Sequence, residues 1–418
     1  MPSRTYYDPL HKSIKLDSTI PEEGMVLELI DSAPFQRLRK IRQLGPASLT
    51  FHGAESSRFT HSLGVFHIAR RAFNKLVDLD PKLKNFRALL YGAALLHDIG
   101  HGPLSHTSEE MFHIKHEHWT AKLIKEHRDI RNILDSFSRG LAYKIADIVE
   151  GKGISLKAIS TLISSQLDCD RLDYLMRDSY STGAQYGQLD LERILSALTL
   201  SPDGDLAIHP KGLLAVEHYL IVRNLMYRGI YNHRLNEVCN WLLNKIISTA
   251  KNYGPKLLWC DKVMHNWLWN QQELSIEDFL QNDDIRTGYH LLRWSEDAKG
   301  NLGTLCRNFL NRKLLKAVNV EYLKNESQLE ALSIAINLSE KIGKDASICC
   351  GLRHNKVYGY HQYKSGLRLW DGDQLKAIEQ ESPLVEKLIS PSQASWLIHP
   401  KEIQEDLKHE LIRLRKDN

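Results

Sequence analysis

At 418 residues the chain is long enough to bury a large core, and its 42% hydrophobic and 25% charged content is that of an ordinary globular protein. A net charge of +4 permits local basic pockets for an anionic substrate but does not by itself indicate a nucleic-acid-coating surface. No apolar run is long enough to cross a bilayer, the start MPSRTYYDPL has no apolar leader, and six cysteines show neither CxxC spacing nor a disulfide framework, so a soluble cytoplasmic protein with free thiols and no membrane partner is expected.

Taken in chain order, apolar spacing of three and four predicts helices within 62–77, 119–126, 155–176 and 211–250. Between the first two, ALLYGAALL reads as a buried helix that Gly100, Gly102 and Pro103 bring to an end. LAIHP at 206–210, after the turn SPDGD, predicts a short strand. From about residue 251 the texture changes, with Trp259, Trp267, Trp269 and Trp294 among further helices. Residues 346–372 bring short apolar and aromatic runs broken by turn residues, which predict strands, and the last stretch reads as a charged helix. The expected fold is mainly α: an all-helical core over 1–255 and a smaller helical and α+β appendage over 256–418.

The chemistry concentrates in a few places. His61, His97, Asp98 and Asp170 are the residue types that hold one divalent cation while leaving coordination open for water and a phosphate oxygen. His97 and Asp98 are adjacent, about 100° apart on a helix, so both reach one ion only at a helix end surrounded by other elements. Each residue alone has a plainer reading as a cap or a solvated acid. Just downstream, His101 and His106 flank Gly102 and Pro103, and Glu109 and His116 follow. A carboxylate beside imidazole fixes its tautomer and raises its pKa, as a proton donor to a leaving oxygen requires. Asp170, Tyr174 and Asp178 recur at four-residue spacing with Arg171 beside them, and Arg223, Tyr227 and Tyr231 repeat that spacing on another helix. Two such stripes face to face would form a nucleotide-sized cleft; tyrosines so spaced also serve as ordinary core residues.

These residues sit in longer motifs: DPLH at 8–11, PFQRLRKIRQLG at 34–45, RFTHSLGV at 58–65, HDIGHGPLSH at 97–106, HEH at 116–118, DCDRLDYLMRD at 168–178 and RNLMYRGIYNH at 223–233. Their order over residues 1–250 resembles the HD-domain deoxynucleoside triphosphate triphosphohydrolases, the dGTPase-like family with animal and bacterial members. The resemblance implies one divalent ion on His61, His97, Asp98 and Asp170, with Fe, Mn, Mg, Co, Ni and Zn all left open. It implies that His106 lies near the scissile phosphate, as acid or nucleophile, supported by Glu109 and His116. Arg58, Arg171 and Arg223 would contact the triphosphate, Gln43 and Asp178 the 3′-hydroxyl, and Tyr174 and Tyr231 the sugar. Three departures stand out against the animal members: Glu109 for aspartate, Arg171 for lysine and Tyr227 for histidine.

The same resemblance implies an activator site for GTP or a dNTP with Mg, formed by Asp31, Gln36 and Arg39 with Arg4 on the phosphates. Against it, Asp31 reads as a helix cap and Gln36 and Arg39 as ordinary helix residues. Lys211, His233 and Arg234, with Asp190 and Arg193, are candidates for a second nucleotide site. A homodimer or homotetramer is expected. The leading expectation is a metal-dependent hydrolase converting a dNTP to deoxynucleoside and inorganic triphosphate. The alternatives are an HD phosphatase acting on nucleoside monophosphates or another phosphoester, and a nucleotide-responsive scaffold that binds single-stranded nucleic acid weakly through its aromatic-rich region.

Overall fold

A computed structural model describes residues 3–152, 157–357, 360, 366–389 and 392–416. It is mainly α, as expected. The centre is the helix Arg58–Leu79, in which Phe59, Leu63, Phe66, Ala69, Phe73 and Leu76 return every three or four residues and are all buried. Against it lie Arg87–Leu96, whose ALLYGAALL segment is buried throughout, and Cys169–Thr182. The latter is capped by the Asp168 carboxylate, which accepts from the Arg171 amide, and stopped by Gly183 at φ 78°.

Two long helical expectations are interrupted. The segment 155–176 divides into Lys157–Ile163 and Cys169–Thr182, because the Asp168 side chain turns back to accept from the amide of Ser165 and so starts a new helix. The segment 211–250 runs as Leu213–Met226, passes through one wide π turn at Tyr227–Tyr231, and resumes at Arg234–Tyr253. π turns inside α-helices concentrate at functional sites.

The part of the chain before residue 255 is not wholly helical. Arg4–Asp8 and Lys12–Leu16 form an antiparallel hairpin in the register Asp8↔Lys12. Each strand is only five residues long, too short for alternation to announce it beside a strong helical pattern. The predicted strand at 206–210 forms as Leu206–Ile208; it pairs with Leu198–Leu200 on one side and, in parallel, with Arg368–Trp370 on the other, where Leu375–Ala377 completes the sheet. A second sheet, in the order Lys316–Asn319, Ser392–His399, Gly351–Val357, lies in the C-terminal part. Most of VYGYHQY, expected as a strand, lies outside the described residues.

One buried apolar cluster runs from Ile14 to Ile398, and a smaller one joins residues between Val320 and Leu414. The stacked rings of Trp119 and Phe279, and Phe112 against Trp267, bring the helices Lys262–Trp269 and Ile276–Gln281 directly behind His106–Phe112 and His116–Glu126. Trp267 and Trp294 are fully buried, while Trp259 is 44% exposed. All six cysteines are free thiols. Among the described residues no helix is long and apolar enough to cross a membrane.

Candidate active site

His61 is buried in the first turns of the central helix, His97 is the C-cap of Arg87–Leu96, and Asp170 lies in the first turn of Cys169–Thr182. Their ligand atoms converge. His61 Nε2 is 3.0 Å from Asp170 Oδ1 and 3.5 Å from Asp98 Oδ2, and His97 Nε2 is 3.5 Å from Asp98 Oδ1 and 3.7 Å from Asp170 Oδ1. As the sequence required, the adjacent His97 and Asp98 meet at a helix end enclosed by other elements.

The hydrogen bonds of the two imidazoles decide whether a cation fits. A carboxylate and a carbonyl can only accept, so His61 Nδ1–H donates to Asp173 at 2.7 Å and His97 Nδ1–H donates to Ala94 O at 2.9 Å. Both rings therefore turn Nε2 and its lone pair inward, and the buried His97 Nε2 has no hydrogen-bond partner. Two inward lone pairs and the Asp170 carboxylate form a donor set that a divalent metal fits, with Asp98 beside them, its two oxygens also engaged by Arg58 and His101. Without a cation that charge would fall on the rings. Burial pulls the His61 imidazole down, but its bonds to Asp170 and Asp173 outweigh this and lift it to about 10. Asp98 is pushed up by burial and held well below the carboxylate range by Arg58, His97 and His101. Arg58 bonds Asp98 directly and donates through Nε to Ser105 Oγ at 2.7 Å.

A second cluster adjoins the first. Glu109 Oε1 accepts from His106 Nδ1 at 3.0 Å and His116 Nδ1 at 2.6 Å. The His116 ring stacks on His101 at 4.0 Å, and His101 lies 3.2 Å from Asp98 through Nε2. Burial raises the Glu109 carboxyl, yet the two imidazole donors bring it down to about 2. The side chain of His106 is 70% exposed and presents Nε2 outward, whereas that of His101 is buried.

The two polar-aromatic stripes also meet. Tyr231 Oη donates to Asp178 Oδ2 at 3.0 Å, the hydroxyls of Tyr174 and Tyr227 are 3.3 Å apart, and Arg223 donates to Gln166 at 2.8 Å. Gln43 and Tyr231 line a cavity of about 150 Å³ together with Ser105 and His106. Burial lifts the Asp178 carboxyl to about 7.

Residues 58–175 match the HD domain and residues 189–254 the HD associated region. The chain is 33% identical to the uncharacterized protein YwfO of Bacillus subtilis over 96% of this chain and 93% of that one. This chain belongs to the HD-domain family. The HD superfamily is one of metal-dependent phosphohydrolases, and the matched region contains His61, His97, Asp98 and Asp170. Chicken deoxynucleoside triphosphate triphosphohydrolase SAMHD1 is 26% identical over 59% of this chain and 45% of its own length. A phosphohydrolase crystal structure from Bacteroides thetaiotaomicron superimposes with a TM-score of 0.82 at 25% identity, over 96% of this chain and all of that one.

Around the HD centre the structure adds residues to which the sequence pattern assigns no role. Asp173 is fully buried and receives four N–H groups: His61 Nδ1, His11 Nε2 at 2.6 Å, and Arg177 Nε and Nη2 at 2.8 and 3.0 Å. Arg177 continues to Asp8 at 2.8 Å, whose other oxygen accepts from the amides of Leu10 and His11. This explains the DPLH motif: the hairpin turn braces the carboxylate that orients a metal-type histidine. A Cβ on Gly64 would stand 1.9 Å from Asp173 Oδ1, so a glycine in mid-helix is the condition for that approach. The spacing of Asp173 and Arg177, i and i+4, was the available signal.

The expected activator residues lie elsewhere and contact one another. Arg4 forms a two-pronged pair with Asp31 at 2.6 and 2.7 Å; Asp31 ends its helix. Arg39 donates to Gln36 and lies 3.5 Å over the Phe59 ring, and Gln36 donates to Ile30 O. Of the second set, Arg193 donates to Lys211 O, Asp190 caps the Arg193 amide, and His233 packs against Phe51 next to Arg234.

Proposed function

We propose that this chain is a metal-dependent dNTP triphosphohydrolase, releasing deoxynucleoside and inorganic triphosphate. The observation that carries the reading is a set of buried polar atoms without partners on the two stripes and beside them. Arg171 Nε and Arg223 Nε are unmatched donors, while Gln43 Oε1 and Asp178 Oδ1 are unmatched acceptors. Buried groups of this kind carry a desolvation cost unless a ligand satisfies them. Phosphate oxygens suit the donors and a sugar hydroxyl suits the acceptors. The similarity to proteins named dNTP triphosphohydrolases supports the same reading.

In this scheme His61, His97, Asp98 and Asp170 hold the cation, which when bound polarises a phosphoryl oxygen and lowers the pKa of water. Arg58, Arg171 and Arg223 carry the phosphate charge, with Arg58 also tying Asp98 to Ser105. His106, oriented through Nδ1 by Glu109, presents Nε2 to the 5′ side of the substrate as acid or nucleophile. His116 donates to the same Glu109 oxygen, and His101 bridges that triad to Asp98. Tyr174 and Tyr231 pack against the sugar and leave no room for a 2′-hydroxyl, with Tyr227 bonding Tyr174 from behind. The activator reading belongs to the same proposal: GTP or a dNTP with Mg would exchange the Arg4–Asp31 pair for its own contacts, between copies of a homodimer or homotetramer.

The test is product analysis by chromatography, with each dNTP alone and in mixture, with Mg, Mn, Fe or Co, and with and without GTP. Deoxynucleoside plus triphosphate, lost in His97→Ala, is the expected result. Orthophosphate release from a nucleoside monophosphate, or no product with metal bound, would overturn it.

A further inference from the structure

Leu104 and Ser105, the two residues immediately before His106, sit at φ 63° and 58°. Residues with side chains rarely adopt this conformation, and it persists only where the surroundings over-determine it. The Ser105 hydroxyl is held by Arg58 and the Arg42 carbonyl, and the groups on either side of it are held from a remote part of the chain. Asp284 Oδ1 accepts from the Leu104 amide at 2.7 Å, and its Oδ2 accepts from the Arg42 amide at 2.9 Å. Two residues earlier, Asn282 O accepts from Arg37 Nε and Nη2, and Arg37 Nη1 donates to His101 O at 2.8 Å. Arg37 is buried with carbonyls as its hydrogen-bond partners, and burial pulls it down to about 10. The approach is tight, since a Cβ on Gly45 would lie 2.6 Å from Leu104 O.

An acid in the first turn of a helix is usually there for the helix dipole. Asp284 is the first residue of Asp284–Asp297, but the capping task belongs to Asp283, which accepts from the Arg286 amide at 2.9 Å. The Asp284 oxygens instead bond amides of two other segments. Burial pushes its carboxyl up to about 6 despite those amides, so the fold bears a cost for the ionised form that simple packing would avoid.

We propose that Asp284 is a positioning residue for His106. It holds the left-handed Leu104–Ser105 backbone in place while Arg37 and Asn282 hold the same loop at His101. The segment 282–284 thereby becomes part of the apparatus that aims the catalytic histidine, although it lies beyond the 58–175 match to the HD domain.

Only the activity arm of the test rests on the dNTP reading. Amide hydrogen exchange at Leu104, followed in the full chain without substrate, is expected to accelerate at least tenfold in Asp284→Ala and less in Asp284→Asn, which keeps one acceptor. Turnover of dNTP is expected to fall at least tenfold in Asp284→Ala, with KM and metal affinity changing less than threefold. In a Leu104→Gly background, where the backbone tolerates positive φ without help, Asp284→Ala should cost less than threefold in turnover. Unchanged exchange at Leu104 in Asp284→Ala overturns the proposal whatever the substrate is. An undiminished penalty in the Leu104→Gly background overturns it as well. If Asp284→Ala does not fold, exchange at Leu104 and Arg42 in Asp284→Asn decides the question: its one oxygen can serve only one of the two amides, so acceleration at neither overturns the proposal.

Discussion

Substituting Asp173 by asparagine changes one atom in a fully buried side chain, and the four donors around that carboxylate fix the consequences. Oδ1 faces His11 Nε2 and Arg177 Nη2, and Oδ2 faces His61 Nδ1 and Arg177 Nε. Whichever way the amide is turned, its NH2 group points at two N–H donors, one of them on an arginine that cannot change its protonation. With the NH2 toward His61, that ring must accept through Nδ1 and carry its proton on Nε2, which removes it as a ligand. With the oxygen toward His61, the ring keeps its tautomer but loses a charged acceptor and becomes a weaker base. Loss of such an outer partner typically costs about 10–100-fold in metal affinity, or about 1.4–2.8 kcal/mol. Leaving Arg177 with Asp8 as its one charged partner adds a folding penalty of about 3 kcal/mol, since a buried pair has lost a charge. The assay is competition between apoprotein and a fluorescent chelator for Mn, with denaturant melts run in parallel. His11→Ala, which removes a donor without altering the His61 bond, should weaken metal binding less than Asp173→Asn. A folded Asp173→Asn protein that binds Mn within twofold of wild type would refute the assignment of Asp173 as the orienting carboxylate.

Other groups give further expected outcomes. Saturating Mn should raise the melting temperature by several degrees, about 4 kcal/mol at a thousandfold excess over Kd, and a chelator should reverse this in wild type but produce no shift in His97→Ala. Tyr231→Phe removes the donor to Asp178 Oδ2, and kcat/KM for a dNTP should fall by about tenfold; steady-state kinetics unchanged from wild type would remove Tyr231 from the cleft. His67 gives a pH signature: burial, with His11, Arg70 and Arg71 adding to it, pulls its imidazole down to about 4. The unfolded chain then takes up the proton first, so His67 destabilises the fold as pH drops from about 6.5 toward about 4 and has no effect above that range. His67→Leu should therefore gain about 2 kcal/mol relative to wild type between about pH 7.5 and about pH 4.5, a figure already reduced for the ring's partial exposure. Urea midpoints at the two pH values check it, and a parallel loss in both proteins would contradict it.

The sequence disclosed most where chemistry and periodicity coincide. His61, His97 and Asp170 are metal-ligand residue types on patterned helices, and Gly100, Gly102 and Pro103 mark the helix end at which His97 and Asp98 could share a site. The break at 164–168 was hidden because Asp168 looks like any other acid until its side chain is seen accepting the Ser165 and Arg171 amides. DPLH could be quoted as a motif yet given no task, since the meaning of Asp8 and His11 lies in Arg177 and Asp173, more than 160 residues away. The same holds for Arg37 and Asp284. Local pattern reports which face of a helix is buried; it carries no information on which carbonyl a buried guanidinium will meet. The groups proposed to bind substrate and metal are thus legible as residue types, whereas those proposed to aim them become legible only as contacts. An accurately placed His106 depends on both, because a nitrogen displaced by about 1 Å from its target can lose on the order of a hundredfold in rate.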